Sequence, residues 1–194
     1  MNSVLAILGF VFAAFIILAV PSLVTPYASV YGPVGFEDTA KAVLLCAGLS
    51  AFVGLLIYRS GAEGDFLLKL FLFALLLRIL IGTLIFVFNW QSFFGGDAFT
   101  YDYYGGEQIK TWYGDQFSQA QVNIFVGKGE GSGWGMVYLV AGLYGFIGRN
   151  MLAVQFFNAI LGAATAPIIF HCAQQVYGNS RVSRLAAFAV AFYP

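Results

Sequence analysis

From residue 4 to residue 24 the chain carries no charged side chain, and apolar runs recur at 42–58, 66–88 (with Lys69 and Arg78), 134–147 and 151–176. A helix needs about 20 apolar residues to cross a hydrocarbon core. In that medium every backbone N–H and C=O must bond within its own segment, so such runs are helices rather than open strands. Composition agrees: 60% of residues are hydrophobic and 9% charged, against roughly 25% charged in a soluble domain. The expected fold class is all-α, a polytopic transmembrane helix bundle forming one membrane domain over 1–194. The first run is read as a retained spanning helix, because Met1-Asn-Ser lacks the positive flank of a signal peptide. A sixth run at 185–194 begins a helix and stops too early to span, which leads us to expect the front part of a longer protein.

Loop charges give an orientation. Arg59 and Lys69 flank the short turn at 60–64, which the positive-inside rule places in the cytoplasm. The loop at 89–133 is then external, in the plasma (inner) membrane of a multi-pass protein. Arg181 and Arg184 resist this: if both later runs cross, these arginines also fall outside. A run at 134–147 that does not cross fully would remove the conflict.

The polar density of the chain is concentrated in that external loop. Its start, Phe94-Gly-Gly-Asp-Ala-Phe-Thr-Tyr-Asp-Tyr-Tyr-Gly-Gly106, puts Asp97, Asp102 and three tyrosines directly after a spanning helix. A carboxylate within hydrogen-bond reach of a hydroxyl can take its proton during attack on a substrate. The competing reading of Asp97 is a helix cap, a role Asp favours. Tyr103 and Tyr104 fit the aromatic belt of a membrane interface. From Glu107 to Phe125, Ile109, Trp112, Tyr113, Phe117, Ala120 and Ile124 recur three or four apart. This predicts one amphipathic helix lying along the membrane surface. The glycine-rich stretch 127–133 lacks the Gly-Lys-Ser/Thr end of a phosphate loop and reads most simply as a hinge.

Within the apolar runs, Arg78 falls near the middle of 66–88, where a charge is costly and faces a bundle or a polar cavity. It is either a partner for a lipid phosphate or carboxylate, or a structural pair with another helix. Lys69 can snorkel to the headgroups. His171 is read as a packing histidine, Asn158 as interhelical glue, Pro167 as a kink, and the small residues of 159–166 as a close helix contact. Cys46 and Cys172 are packing thiols. No basic stripe for nucleic acid is present.

A spanning helix, an external Asp97-x-x-x-Tyr101, surface helices and the segment Trp134-Gly-Met-Val-Tyr-Leu-Val-Ala-Gly-Leu-Tyr-Gly-Phe-Ile-Gly148 follow in order. After them come Asn150-Met-Leu-Ala-Val-Gln-Phe-Phe-Asn-Ala-Ile-Leu-Gly162 and a closing Ala-Phe-Tyr-Pro194. This arrangement, over about 84–194, resembles the N-terminal region of GT-C glycosyltransferases. The branch it looks like uses polyprenyl-phosphate sugars and includes the protein O-mannosyltransferases and the lipid A aminoarabinose transferase. The chain departs from it in having two helices before 66–88. The resemblance implies sugar transfer from a polyprenyl-phosphate donor to a glycan, lipid or protein acceptor on the external face. By matching position Asp97 would be the catalytic base and Tyr101 a substrate contact. Asp102, five residues on and so turned away from Asp97 on a helix, is structural or positions the substrate. Lys128 would face the leaving phosphate, although the two prolines that follow this lysine in the aminoarabinose branch are missing here. A divalent metal is possible, with Asp97, Asp102 and Glu107 as the external carboxylates. The alternative classes are a non-catalytic membrane subunit and a transporter or flippase component that would use Arg78 and His171 as a charged path.

Overall fold

The computed structural model describes residues 36–88, 90, 93, 97–127 and 134–192. The expected first spanning run (4–24), Lys128 and most of the glycine-rich stretch lie outside the described residues. The described chain is all-α, with seven helices: α1 (Phe36–Tyr58), α2 (Gly64–Val87), α3 (Asp97–Trp112), α4 (Gln116–Gly127), α5 (Trp134–Ile147), α6 (Met151–Tyr177) and α7 (Ser180–Phe192).

Three of these, α1, α2 and α6, are long and apolar enough to cross a membrane. Their outward faces carry Leu44, Phe52, Phe73, Leu80, Leu161 and Ile168, all exposed. An apolar surface of this extent would drive aggregation in water, and lipid is its natural solvent. The inward faces meet around α6, which packs against α1, α2 and α7. Leu67, Phe71 and Ala74 of α2 interlock there with Leu152, Phe156, Ala163 and Ala166 of α6, and Ala187 of α7 closes the layer. Small side chains on α6 and α7 let the backbones approach closely, as the spacing at 159–166 implies.

The chain turns at defined points. Gly61 takes φ 130° in the α1–α2 turn, a region that favours glycine. Asn150 caps α6 by accepting from Ala153 N at 3.1 Å, and its Nδ2 donates to Asp38 O at 2.6 Å. That bond ties the start of α6 to the start of α1. Gly178, at φ 60°, ends α6, and α7 begins five residues before the expected 185 because Asn179 Oδ1 accepts from Arg181 N. Arg184 then reaches Glu63 in the α1–α2 turn at 2.8 Å.

One sequence expectation is corrected. The amphipathic pattern over 107–125 is two helices rather than one: Gly114 adopts φ 94°, and Asp115 caps a new helix by accepting from Phe117 N at 3.0 Å. The continuous pattern arose because both helices present aromatic faces outward, so the period survives the turn. The apolar run at 134–147 forms α5, but its 14 residues rise only about 21 Å at 1.5 Å each, short of a core about 30 Å thick. It packs on α3 rather than beside the long helices.

Candidate functional site

Helix α3 is held by glycine. A Cβ on Gly105 would stand 2.5 Å from Val140 Cγ1 of α5, so this position accepts only hydrogen. One residue later, at Gly106, the Arg149 Cδ lies 3.7 Å from the Cβ position. Gly105 thus brings α3 against α5, while a Cβ at Gly106 would make only ordinary contact with Arg149, which folds back over α3 from the α5–α6 turn.

What Arg149 reaches is Asp102. Its Nε lies 3.1 Å from Oδ2 and 3.3 Å from Oδ1, and its Nη2 donates to Oδ2. Tyr144 Oη donates to Asp102 Oδ1 at 2.5 Å. Asp102 is only 3% exposed, so its charge is compensated by one guanidinium and one phenol. Two-pronged arginine contacts of this kind fix geometry as well as charge. These contacts tie α3 to α5 and to the α5–α6 turn through Asp102. Tyr144 and Arg149 were not singled out in the sequence, because nothing local links a loop arginine to an aspartate 47 residues away.

Asp97, Ala98, Tyr101 and Asp102 of α3 line one cavity of about 280 Å³ with Met136, Val140 and Tyr144 of α5 and Met151, Val154, Gln155 and Asn158 of α6. Asp97 and Tyr101 sit one helical turn apart on the same wall. Asp97 is exposed while Asp102 is buried in its ion pair. The rest of the wall alternates methionine and valine with two amides, a lining suited to a molecule with a polar end and an apolar body.

Helix α4 folds back on α3 as a hairpin. Tyr103 Oη donates to Gln121 Oε1 at 2.6 Å, and Tyr104 stacks on Phe125 with centroids 4.0 Å apart. These tyrosines, expected as a simple lipid belt, clasp α4. Glu107 joins the two helices: Lys110 Nζ lies 2.6 Å from its Oε1, and Ser118 Oγ donates to its Oε2 at 2.5 Å. Burial works against the Glu107 charge, but the hydrogen bonds from Lys110 and Ser118 prevail and hold its pKa below the ordinary value. The same carboxylate raises Lys110. Ser118 and the Phe117 amide lower Asp115.

The remaining candidates stand elsewhere. Arg78 is not part of the cavity; it lies over Gly162, where a Cβ would be 3.2 Å from its Nη1, and its Nη2 is 3.5 Å from Val190 O of α7. His171 packs edge-on against Phe170, with centroids 5.5 Å apart. Among the described residues no three His, Cys, Asp or Glu side chains are grouped closely enough to hold a metal ion. Searches against protein-family models, curated proteins and solved structures found no match to this chain.

Proposed function

We propose that this chain carries the acceptor-activating site of a membrane glycosyltransferase that uses a polyprenyl-phosphate sugar, with Asp97 as general base. The observation that carries the reading is the division of labour between two carboxylates on one cavity. Asp102 is committed to Arg149 and Tyr144, whereas Asp97 stands exposed on the wall beside Tyr101. A free carboxylate can accept the proton of an acceptor hydroxyl as its oxygen bonds to the anomeric carbon. The anomeric C–O bond breaks in the same step, and its electron pair leaves with the lipid phosphate. One base and one displacement give inversion. A cation near the phosphate would ease departure of that charge, and Lys128 is the residue proposed for it. The apolar portion of the cavity wall suits the lipid part of the donor.

Sidedness belongs to the same proposal. Arg59, Arg181 and Arg184 gather at the end of the bundle opposite the cavity, with Lys69 on the adjoining turns of α2. Lys41, Lys110 and Arg149 stand toward the cavity end, so loop charge alone does not choose a side, and the outward placement of the cavity and the α3–α4 hairpin rests on the resemblance. Exposed Trp112, Tyr113, Phe117 and Ile124 then rest the hairpin in the interface.

The test is transfer of labelled sugar from polyprenyl-phosphate donors in membranes holding the full-length gene product, as wild type and as Asp97→Asn at equal expression. Loss of transfer by about 100-fold or more, the scale of general-base catalysis, supports Asp97 as base. Transfer that survives in the variant removes Asp97 from the site, and no transfer from any donor favours the anchor or transporter classes.

A further inference from the structure

Gln155 lies on the first turns of α6, on the wall of the cavity that also holds Asp97. Its Oε1 is buried and accepts no hydrogen bond from the described residues. A buried amide oxygen without a donor is costly, and more so where no water competes. The large majority of buried side-chain polar atoms find a partner. Asn158, three residues on, lines the same cavity from the next turn, so both residues border it at a spacing that keeps them on one side of the helix, with the Gln155 Oε1 itself turned into the protein. Their neighbours Met151 and Val154 are apolar and offer neither of them a partner.

We propose that Gln155 is a specificity residue: its amide turns about its side-chain torsions to accept a hydrogen bond from a hydroxyl of an amphiphilic ligand, with Asn158 contacting the same polar head. The ligand class is a hydroxyl-bearing head joined to an alkyl body. The head lies among Asp97, Gln155 and Asn158, and the body follows Met136, Met151 and Val154. The class deepens the glycosyltransferase reading, but the residue assignment concerns binding and is measured without transfer. A site built to receive a hydroxyl discriminates against a ligand that lacks one, because its own polar atom is then left unpaired.

The experiment uses the full-length protein in nanodiscs and two photoreactive probes, an octyl glucoside and the octyl methyl ether without hydroxyls. In wild type the glucoside labels saturably at the cavity. In Gln155→Leu its half-saturation rises roughly five-fold, the scale of one neutral hydrogen bond, while the ether is unaffected. Thermal stability of Gln155→Leu is equal to wild type or higher, since an unsatisfied acceptor has been removed. The inference is overturned if the glucoside does not label the cavity, if both probes weaken together, if neither does, or if the variant melts earlier. That last result would show the amide bonded within the fold. Asp97→Asn separates the two claims: transfer retained in that variant ends the catalytic reading and leaves the Gln155 discrimination standing.

Discussion

Arg184 Nη2 lies 2.8 Å from Glu63 Oε2 although 121 residues separate them in the chain. The pair joins the first turns of α7 to the α1–α2 turn, and the Arg184 guanidinium also sits 5.0 Å from the centre of the Phe66 ring. Both partners are partly exposed, so the bond itself adds little stability. Its value is topological: Arg181 and Arg184 share an end of the bundle with Arg59. Under the proposed orientation, a short α5 that packs on α3 without crossing would put Arg181 and Arg184 on the same side as Arg59.

Cysteine accessibility tests this arrangement. In a background with Cys46 and Cys172 replaced by alanine, single cysteines at Ser60 and Arg181 are expected to react with an impermeant thiol reagent from one side of sealed vesicles. A cysteine at Tyr113, 84% exposed on the hairpin turn, is expected to react only from the other. Labelling of Ser60 and Arg181 from opposite faces would refute the shared end.

Gly105 is the most constrained contact between α3 and α5. A methyl there would overlap Val140 Cγ1 at 2.5 Å and Val140 Cβ at 3.0 Å, and overpacking of this kind costs about 1–3 kcal/mol. Gly105→Ala should therefore lower the melting temperature in detergent, and Val140→Ala in the same chain should recover part of the loss, since the Cγ1 overlap goes while the Cβ contact stays. Gly48→Ala is the control, since no atom lies within 4 Å of its Cβ position. Equal behaviour of the two alanine variants would show that α3 and α5 do not pack as described.

How far the sequence reached depended on range. The long helices were legible because α1, α2 and α6 are written as uncharged or nearly uncharged runs, and lipid imposes that pattern residue by residue. Asp97 and Tyr101 share a wall because they are four apart, which local spacing also shows. Asp102 with Arg149 was not legible, since ion pairing across 47 residues leaves no periodic trace. Gln155 was hidden for another reason: an amide inside an apolar run reads as helix glue until its surroundings are known. The break at Gly114 was signalled by Gly-Asp, a cap pair, yet outweighed by an apolar period that runs straight through the turn.

The Asp102–Arg149 pair should behave as a buried charge with one exposed partner. The Arg149 side chain is 44% exposed and that of Asp102 3%, so Arg149→Met strips most of the compensation from a carboxylate that water cannot reach. The expected loss is about 1–3 kcal/mol, below the range for a wholly buried pair because solvent screens the arginine. Asp102→Asn added to Arg149→Met should return part of it, since the neutral amide no longer needs a cation. Denaturant unfolding in mixed micelles measures both. A double variant less stable than Arg149→Met alone would show that Asp102 is not held by Arg149.

The α3–α4 hairpin should carry its own pH dependence. Glu107 is depressed below its ordinary 4.5 and Asp115 below 3.8. A depressed carboxylate stabilises the folded form above its unfolded pKa, and that stability is lost as pH falls through the folded value. Lys110 has the opposite sign: raised above 10.5, it contributes below that value and ceases to as pH climbs through its folded pKa. The hairpin should hence be insensitive to pH between about 5 and 10 and loosen on the acid side below about 4.5. Trp112, at the end of α3, reports this by fluorescence once Trp90 and Trp134 are replaced with phenylalanine. Ser118→Ala removes the one hydroxyl proton shared between Glu107 and Asp115, so its acid midpoint should move up toward 4.5. A midpoint unchanged by Ser118→Ala would mean that the acid transition belongs to other carboxylates and that Glu107 does not hold α4 in place.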